Sequence, residues 1–511
     1  MTAKNSTINL VSFSSLLLSL LLTGTGPAPA AQTWYRQSGG TANLTNQVFT
    51  SDIDDTSGVF VTNGGILTMA NCRVKTTGNT SNNDNSSFYG LNAGVLVKGK
   101  SQVTLTGCNI YTEGEGGNGV FSTDSGTSVI LINDTIYCKG SGGHGVDATY
   151  KGYMSLTDVI IYTEESHGAA ISTDRGGGTI DVLRGKAIAA GTDSPGIYCT
   201  GTITATDAVI GATGSEGVVI EGSNTVILNN VTMSGAKGTR NRANLIYQSM
   251  SGDAEGNKGV FTMTGGSFDW PSDGPFFLVT NTIAYITMKG VTINSASDTL
   301  IKAAKDNWGT SGKNGGETYF TAENQAIEGL VYCDNISSVS LTLKTGSVFT
   351  GSTNKAAVSI DETSSWSVTA TSWVTTFTDA SGVNGDSVTN VSGNGYTVYY
   401  DSTVTGNDYL EKKTYKLRGG GYLTCRAVTN AVEDDAETSA AVSIYPNPAS
   451  SELTINTQSE TARKYAVCNM LGENICEGSV SGSVTLDVSN WVSGVYFIII
   501  DGKMNRVMVN R

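Results

Sequence analysis

Short alternations of apolar and polar residues fill the chain from about residue 40 to residue 427, and they recur with a period. Each unit opens on a residue, a glycine and an apolar residue. The series runs "AGVLVKGKSQVTLTGCNIYTEGEGG", "NGVFSTDSGTSVILINDTIYCKGSGG", "HGVDATYKGYMSLTDVIIYTEES", "HGAAISTDRGGGTIDVLRGKAIAAGTDS", "PGIYCTGTITATDAVIGATGS" and "EGVVIEGSNTVILNNVTMSGAKG". Within units an apolar pair recurs seven residues apart, as in Val103 and Ile110, Val129 and Ile136, Ile203 and Ile210, and Val226 and Met233. Looser units follow at "NKGVFTMTGGSF", "GPFFLVTNTIAYITMKGVTI", "GLVYCDNISSVSLTLKTGSVF" and "AAVSIDETSSWSVTA".

Alternation over four or five residues, bounded by Gly or Asn, predicts short strands. Two or three such strands cannot bury an apolar face alone. Stacking unit on unit buries a continuous core and pairs each strand with its successor. The predicted fold is all-β: a right-handed parallel β-helix whose rungs climb one strand spacing, about 4.8 Å. A propeller would need a period near 40 or more. Two stretches read as loops off the stack, Gly78 to Gly90 and Gly235 to Gly259. The segment "TWYRQSGGTANLTNQVFTSDIDDTSG" reads as an N-terminal cap, and the aromatic stretch "GYTVYYDSTVTGNDYLEKKTYKLRGGGYLTCRAV" as the opposite one.

The ends follow other patterns. One lysine precedes an apolar run from Leu10 to Leu22, and Ala28-Pro29-Ala30 offers a small-x-small cleavage site. The run is short for a bilayer span, so residues 1–30 read as a secretory signal peptide. Residues 31–427 are the predicted β-helix with its caps. Residues 428–441, acidic and small, read as a linker. Residues 442–511 alternate strands and tight turns and predict a small C-terminal β-sandwich.

Composition narrows the function. Formal net charge is −14, charged residues are 15% of the chain and glycines number 63. An acidic surface repels phosphate backbones, so no nucleic-acid partner is expected. Eight cysteines are few for 511 residues, too few for a disulfide framework. Cys72 and Cys108 occupy equivalent repeat positions and read as buried thiols on neighbouring rungs. Cys468 and Cys476 flank Leu471-Gly472-Glu473 symmetrically and are a candidate disulfide.

The repeat resembles the pectin-lyase-like β-helix superfamily, above all its adhesin-like branch, over roughly residues 40–427. That resemblance implies an architecture shared by lyases, hydrolases, adhesins and stalks. The tail resembles the type A C-terminal sorting domain of type IX secretion cargo, through "IYPNP", "LGENI", "LDVS", "GVYFI" and the basic finish "GKMNRVMVNR", in that order. It implies export through the outer membrane of a Gram-negative bacterium by the type IX machinery, with the cargo attached to the surface or released.

Hydrolysis in the polygalacturonase-like branch needs paired acids beside a G-H-G. Gly143-His144-Gly145 and Arg184-Gly185-Lys186 are present, but the preceding coil carries only Asp124, and Asp54-Asp55 lies far along the stack. A lone carboxylate cannot be both acid and base. A polysaccharide lyase acting on uronic-acid polymers is the alternative function. Asp147, Asp174-Arg175 and Asp181 to Lys186 lie within two rungs for it, with calcium as a candidate cofactor. The residue before the repeat glycine runs Ala93, Asn118, His144, His167, Pro195, Glu216. His144 and His167 therefore read as equivalent turn residues, with no ligand spacing for zinc. No catalytic residue and no metal ligand is assigned. The candidate ligand-binding residues are Tyr111, Tyr137 and Tyr162, expected to stack outside successive rungs, with Arg240 and Arg242 of the basic loop and the loop aromatic Trp308. The expected protein is a secreted or surface-attached β-helix acting in adhesion or glycan binding, with a glycan or cell-surface partner. A purely structural surface component is the third reading.

Overall fold

The computed structural model describes residues 31–426, 442–457, 462–469, 474–500 and 503–510. The expected signal peptide at 1–30 and linker at 428–441 lie outside the described residues. No described helix is long and apolar enough to cross a membrane. Contacts divide the chain into two compact units, at residues 428/429.

The first unit is a right-handed parallel β-helix of sixteen turns. Its strands form three parallel stacks. The first runs from Ala31–Thr33 to Thr292–Ser295, the second from Tyr35–Ser38 to Tyr415–Arg418, and the third from Thr41–Thr45 to Tyr422–Arg426. The first stack ends at Thr292–Ser295, so later turns have two faces. The sequence alternation sets which side chains turn inward. In Gln102–Thr106 those are Val103 and Leu105, and in Asn109–Thr112 it is Ile110. The seven-residue offset thus links a third-stack strand to the first-stack strand that follows it. One apolar core runs from Phe49 to Leu423.

The repeat glycine has a steric cause. A Cβ on Gly145 would lie 2.2 Å from the Ile161 Cγ2 and 2.5 Å from the Ala170 oxygen. Gly119 faces Ile136 in the same way, at 2.3 Å. The isoleucine of the following first-stack strand fills the space a side chain would need.

Three expectations are corrected. The supposed N-terminal cap supplies strands of the stacks themselves: Tyr35–Ser38 pairs in parallel with Val59–Thr62. The interruptions are not wholly loops. The first carries the helix Asn83–Tyr89, capped by the Asn82 side chain. The second contains Asn244–Tyr247, a full member of the second stack. The histidines are not equivalent, because Val146 pairs with Ile171, which aligns His144 with Ala169. The repeat slips by two residues at this rung, and His167 belongs to the preceding bend. At the far end, a 3-10 turn at Thr405–Leu410 and an antiparallel contact between Tyr415–Arg418 and Tyr422–Arg426 close the stack.

In the second unit, Ser443–Tyr445, Glu452–Asn456 and Ser483–Asp487 form one antiparallel sheet. Asn474–Val480, Arg463–Asn469, Gly494–Ile500 and Lys503–Val509 form another. Leu453 and Ile455 from the first share a core with Val467, Ile498 and Val507 from the second, the packing of a small sandwich.

Candidate functional site

The second stack is buried on both sides over its middle rungs. Every residue of Val120–Thr123, Val146–Thr149, Val218–Glu221, Asn244–Tyr247 and Phe277–Thr280 is buried. Alternation puts Val146, Val218 and Phe277 in the core and turns Phe121, Asp147, Tyr198, Val219, Leu245 and Leu278 outward. The outward row is covered locally. Phe121 and Leu96 pack together with Ala93 near the Asn83–Tyr89 helix, and the Thr149 hydroxyl donates to the Phe88 carbonyl at 2.9 Å. Val219, Leu245, Tyr247 and Leu278 cluster with Trp308 and Tyr198. This covered face holds two groups of chemically capable residues.

The first group is acidic. One nitrogen of His144 and one oxygen each of Asp147 and Asp174 lie within 4.8 Å of one another, all buried. Asp147 sits on Val146–Thr149, in register beside Ser172. Burial first, and Asp174 next, push its carboxyl well above the usual range, against a smaller pull from Ser172. Neither Asp147 oxygen, nor the Ser172 hydroxyl, meets a partner in hydrogen-bonding geometry. Asp174 is pushed up to about 8, by burial and then by Asp253. His144 is driven down to about 4 by burial and by His167. Its backbone amide donates to Asn118 Oδ1 at 2.8 Å, and its Nδ1 accepts the Ala169 amide at 3.0 Å. Arg175 borders the group: its guanidinium lies 2.6 Å from Asp253 and 3.8 Å from the Phe88 ring centre.

The hydrolase pattern wants acids ahead of His144, where only Asp124 stands; Asp147 and Asp174, named above for the lyase alternative, are the acids that meet it. The acids come after it, on the same rung and the next. The signal was available: Asp147 is a charged residue at an alternation position flanked by buried neighbours, and the register sets Asp174 one rung on. Of the residues a lyase would use, Asp147, Asp174 and Arg175 lie together, while Asp181 and Lys186 stand on the other two stacks. Asp147 is wholly buried, and Arg175 is held by Asp253 and Phe88.

The second group unites three residues singled out from sequence. The Trp308 ring lies 4.6 Å from Tyr247, with the Arg240 and Arg242 guanidinium carbons 4.9 and 5.3 Å from its centre. Arg242 is buried, with Nε 2.8 Å from Glu216 and Nη1 3.5 Å from Asp306. Arg240 is exposed and Trp308 half-buried. Glu221 accepts from Tyr198 at 2.8 Å and Tyr247 at 2.7 Å, and from the Ser249 hydroxyl. Burial, then Glu221, raise the Tyr247 phenol, so Glu221 is a fixed acceptor for two neutral phenols.

The tyrosine ladder lies on a different face, the first stack. Tyr111, Tyr137 and Tyr162 stack at 5.4 and 5.3 Å while Ile110, Ile136 and Ile161 fill the core. Their ring faces cover one another. Lys75 lies 5.4 Å over Tyr111, Ile188 follows Tyr162 in register, and the Tyr137 hydroxyl bonds Glu164. Cys72 and Cys108 are buried free thiols. The candidate disulfide is corrected. Cys476 pairs with Val467 and Cys468 with Asn474 across a register shift, which turns the two thiols to opposite faces of the sheet, and both are free.

The C-terminal unit, with its two antiparallel sheets and shared core, can be set against known families. Residues 443–510 match the secretion system C-terminal sorting domain. This sorting domain implies contact with the type IX secretion machinery, and export to the cell surface or secretion. No curated protein and no solved structure matches the chain.

Proposed function

We propose that the exported β-helix binds a glycan at the Trp308 cluster and serves in adhesion. The observation that carries this reading is the meeting of two loops over Tyr247. They set an exposed Arg240 and an anchored Arg242 each within 5.3 Å of the centre of one indole ring, which lies against Tyr247. A sugar ring packs its C–H face on an indole, while guanidinium groups donate to hydroxyl or acidic oxygens. The tyrosine ladder suits the role less: its rings stack on one another and Tyr137 is bonded to Glu164, whereas the exposed Arg240 at the Trp308 ring can exchange its place with a ligand. The test is a glycan array, with binding to whole cells beside it, using the full chain. Trp308→Ala is expected to weaken binding at least tenfold, and Tyr137→Ala to leave it unchanged. Failure to bind any glycan or cell, or undiminished binding by Trp308→Ala, overturns the reading. Ordered self-assembly without ligand would replace it with a structural surface role.

A further inference from the structure

The acidic group beside His144 answers to different chemistry from the Trp308 cluster. Asp147 and Ser172 are both wholly buried; Ser172 and the Ala148 amide lie near enough to Asp147 to favour its charged form, but neither carboxylate oxygen nor the hydroxyl meets a partner in full hydrogen-bonding geometry among the described residues. They are neighbours on adjacent rungs, and Asp174 brings a second carboxylate oxygen within 4.8 Å. A buried carboxylate without a partner costs several kcal/mol unless it is neutralised or paired. Arg175, the nearest cation on the same bend, is turned to Asp253.

We infer that one hard divalent cation, of the calcium, magnesium or manganese class, binds between Asp147 and Asp174 with the Ser172 hydroxyl as a further ligand. The donor set decides the class: two carboxylates and a hydroxyl are hard oxygen ligands. His144 is not a ligand. Its Nδ1 lone pair is taken by the Ala169 amide, so the neutral ring carries its proton on Nε2 and has no lone pair to offer there. The site lies on consecutive rungs beneath the Asn83–Tyr89 helix region with Asp147, Ser172 and Asp174 all buried, so the ion is structural. It clamps one rung to the next where the repeat slips by two residues. This inference does not depend on glycan binding.

The full chain, stripped with a chelator, is dialysed to equilibrium against Ca²⁺, Mn²⁺ or Zn²⁺ alone. The expected result is one Ca²⁺ or Mn²⁺ per chain and a higher thermal midpoint with the ion. Asp147→Asn should lose at least tenfold in affinity, Ser172→Ala severalfold, and His144→Ala should still bind. Ser172→Ala carries the test if Asp147→Asn does not fold. No stoichiometric uptake overturns the inference, as does equal uptake by Asp147→Asn or Ser172→Ala. Uptake of Zn²⁺ in preference to Ca²⁺ and Mn²⁺, abolished by His144→Ala, overturns the oxygen-ligand assignment.

Discussion

The glycine that opens each repeat unit is one half of a pair. Gly145 gives up its side chain to the Ile161 methyl. One rung on, Ala170 stands at the glycine position, and Ala187 stands where Ile161 would recur. The added methyl is matched by a removed one. Gly145→Ala should therefore overpack this corner and cost about 1–3 kcal/mol. Ile161→Ala alone should cost about 2–5 kcal/mol. Denaturant melts of both singles and the double should show partial non-additivity, because the second change removes the Ile161 contact and leaves the one with the Ala170 carbonyl. Strictly additive costs would mean that the two residues do not share the space.

At the scale of strands and bends, the fold was readable and its exceptions were not. Strand positions and the three-tyrosine stack follow from alternation and period, which a sequence displays directly. His144 and His167 share a His-Gly pair but not a repeat position, because strand pairing obeys the apolar positions Val146 and Ile171. Trp308 and Arg240 were picked out singly, but their meeting was hidden: no local pattern reports which two loops cross one face. The Cys468 and Cys476 symmetry was real in sequence and broken by one register shift. Bends carry their own energetics. Asp361 accepts the Thr345 amide at 2.7 Å and the Thr363 amide at 2.9 Å. Burial pushes its carboxyl up, but these bonds outweigh it and hold it down at about 2. A carboxyl depressed on folding adds stability above its unfolded value, about 3.9, and loses it as pH falls toward the folded one. The thermal midpoint of the wild type should exceed that of Asp361→Asn at pH 6, and the gap should close between pH 4 and pH 2. A constant gap would mean that the charge of Asp361 plays no part.

For the molecule as a whole, two units divide the labour: a sorting domain that directs export and a β-helix that carries the candidate sites. Deleting residues 442–511 should leave the β-helix folded but retained in the periplasm, as read by cell fractionation. Normal surface display without the tail would show that another segment directs export. The β-helix adds a constraint of its own. The acidic group and the Trp308 cluster share one stack, in which each strand pairs with the next at about 4.8 Å. Their separation can therefore change only in whole rungs. A single-residue insertion within a strand would flip the alternation and fail, whereas gain of one entire unit ahead of Ile197, of the length of residues 197–217, would keep the alternation and move the two sites by one fixed step, at the loss of the Arg175–Asp253 pair. The scaffold is in this sense a ruler with quantised divisions, and distances along its binding face are written in the count of repeats rather than in the identity of any residue.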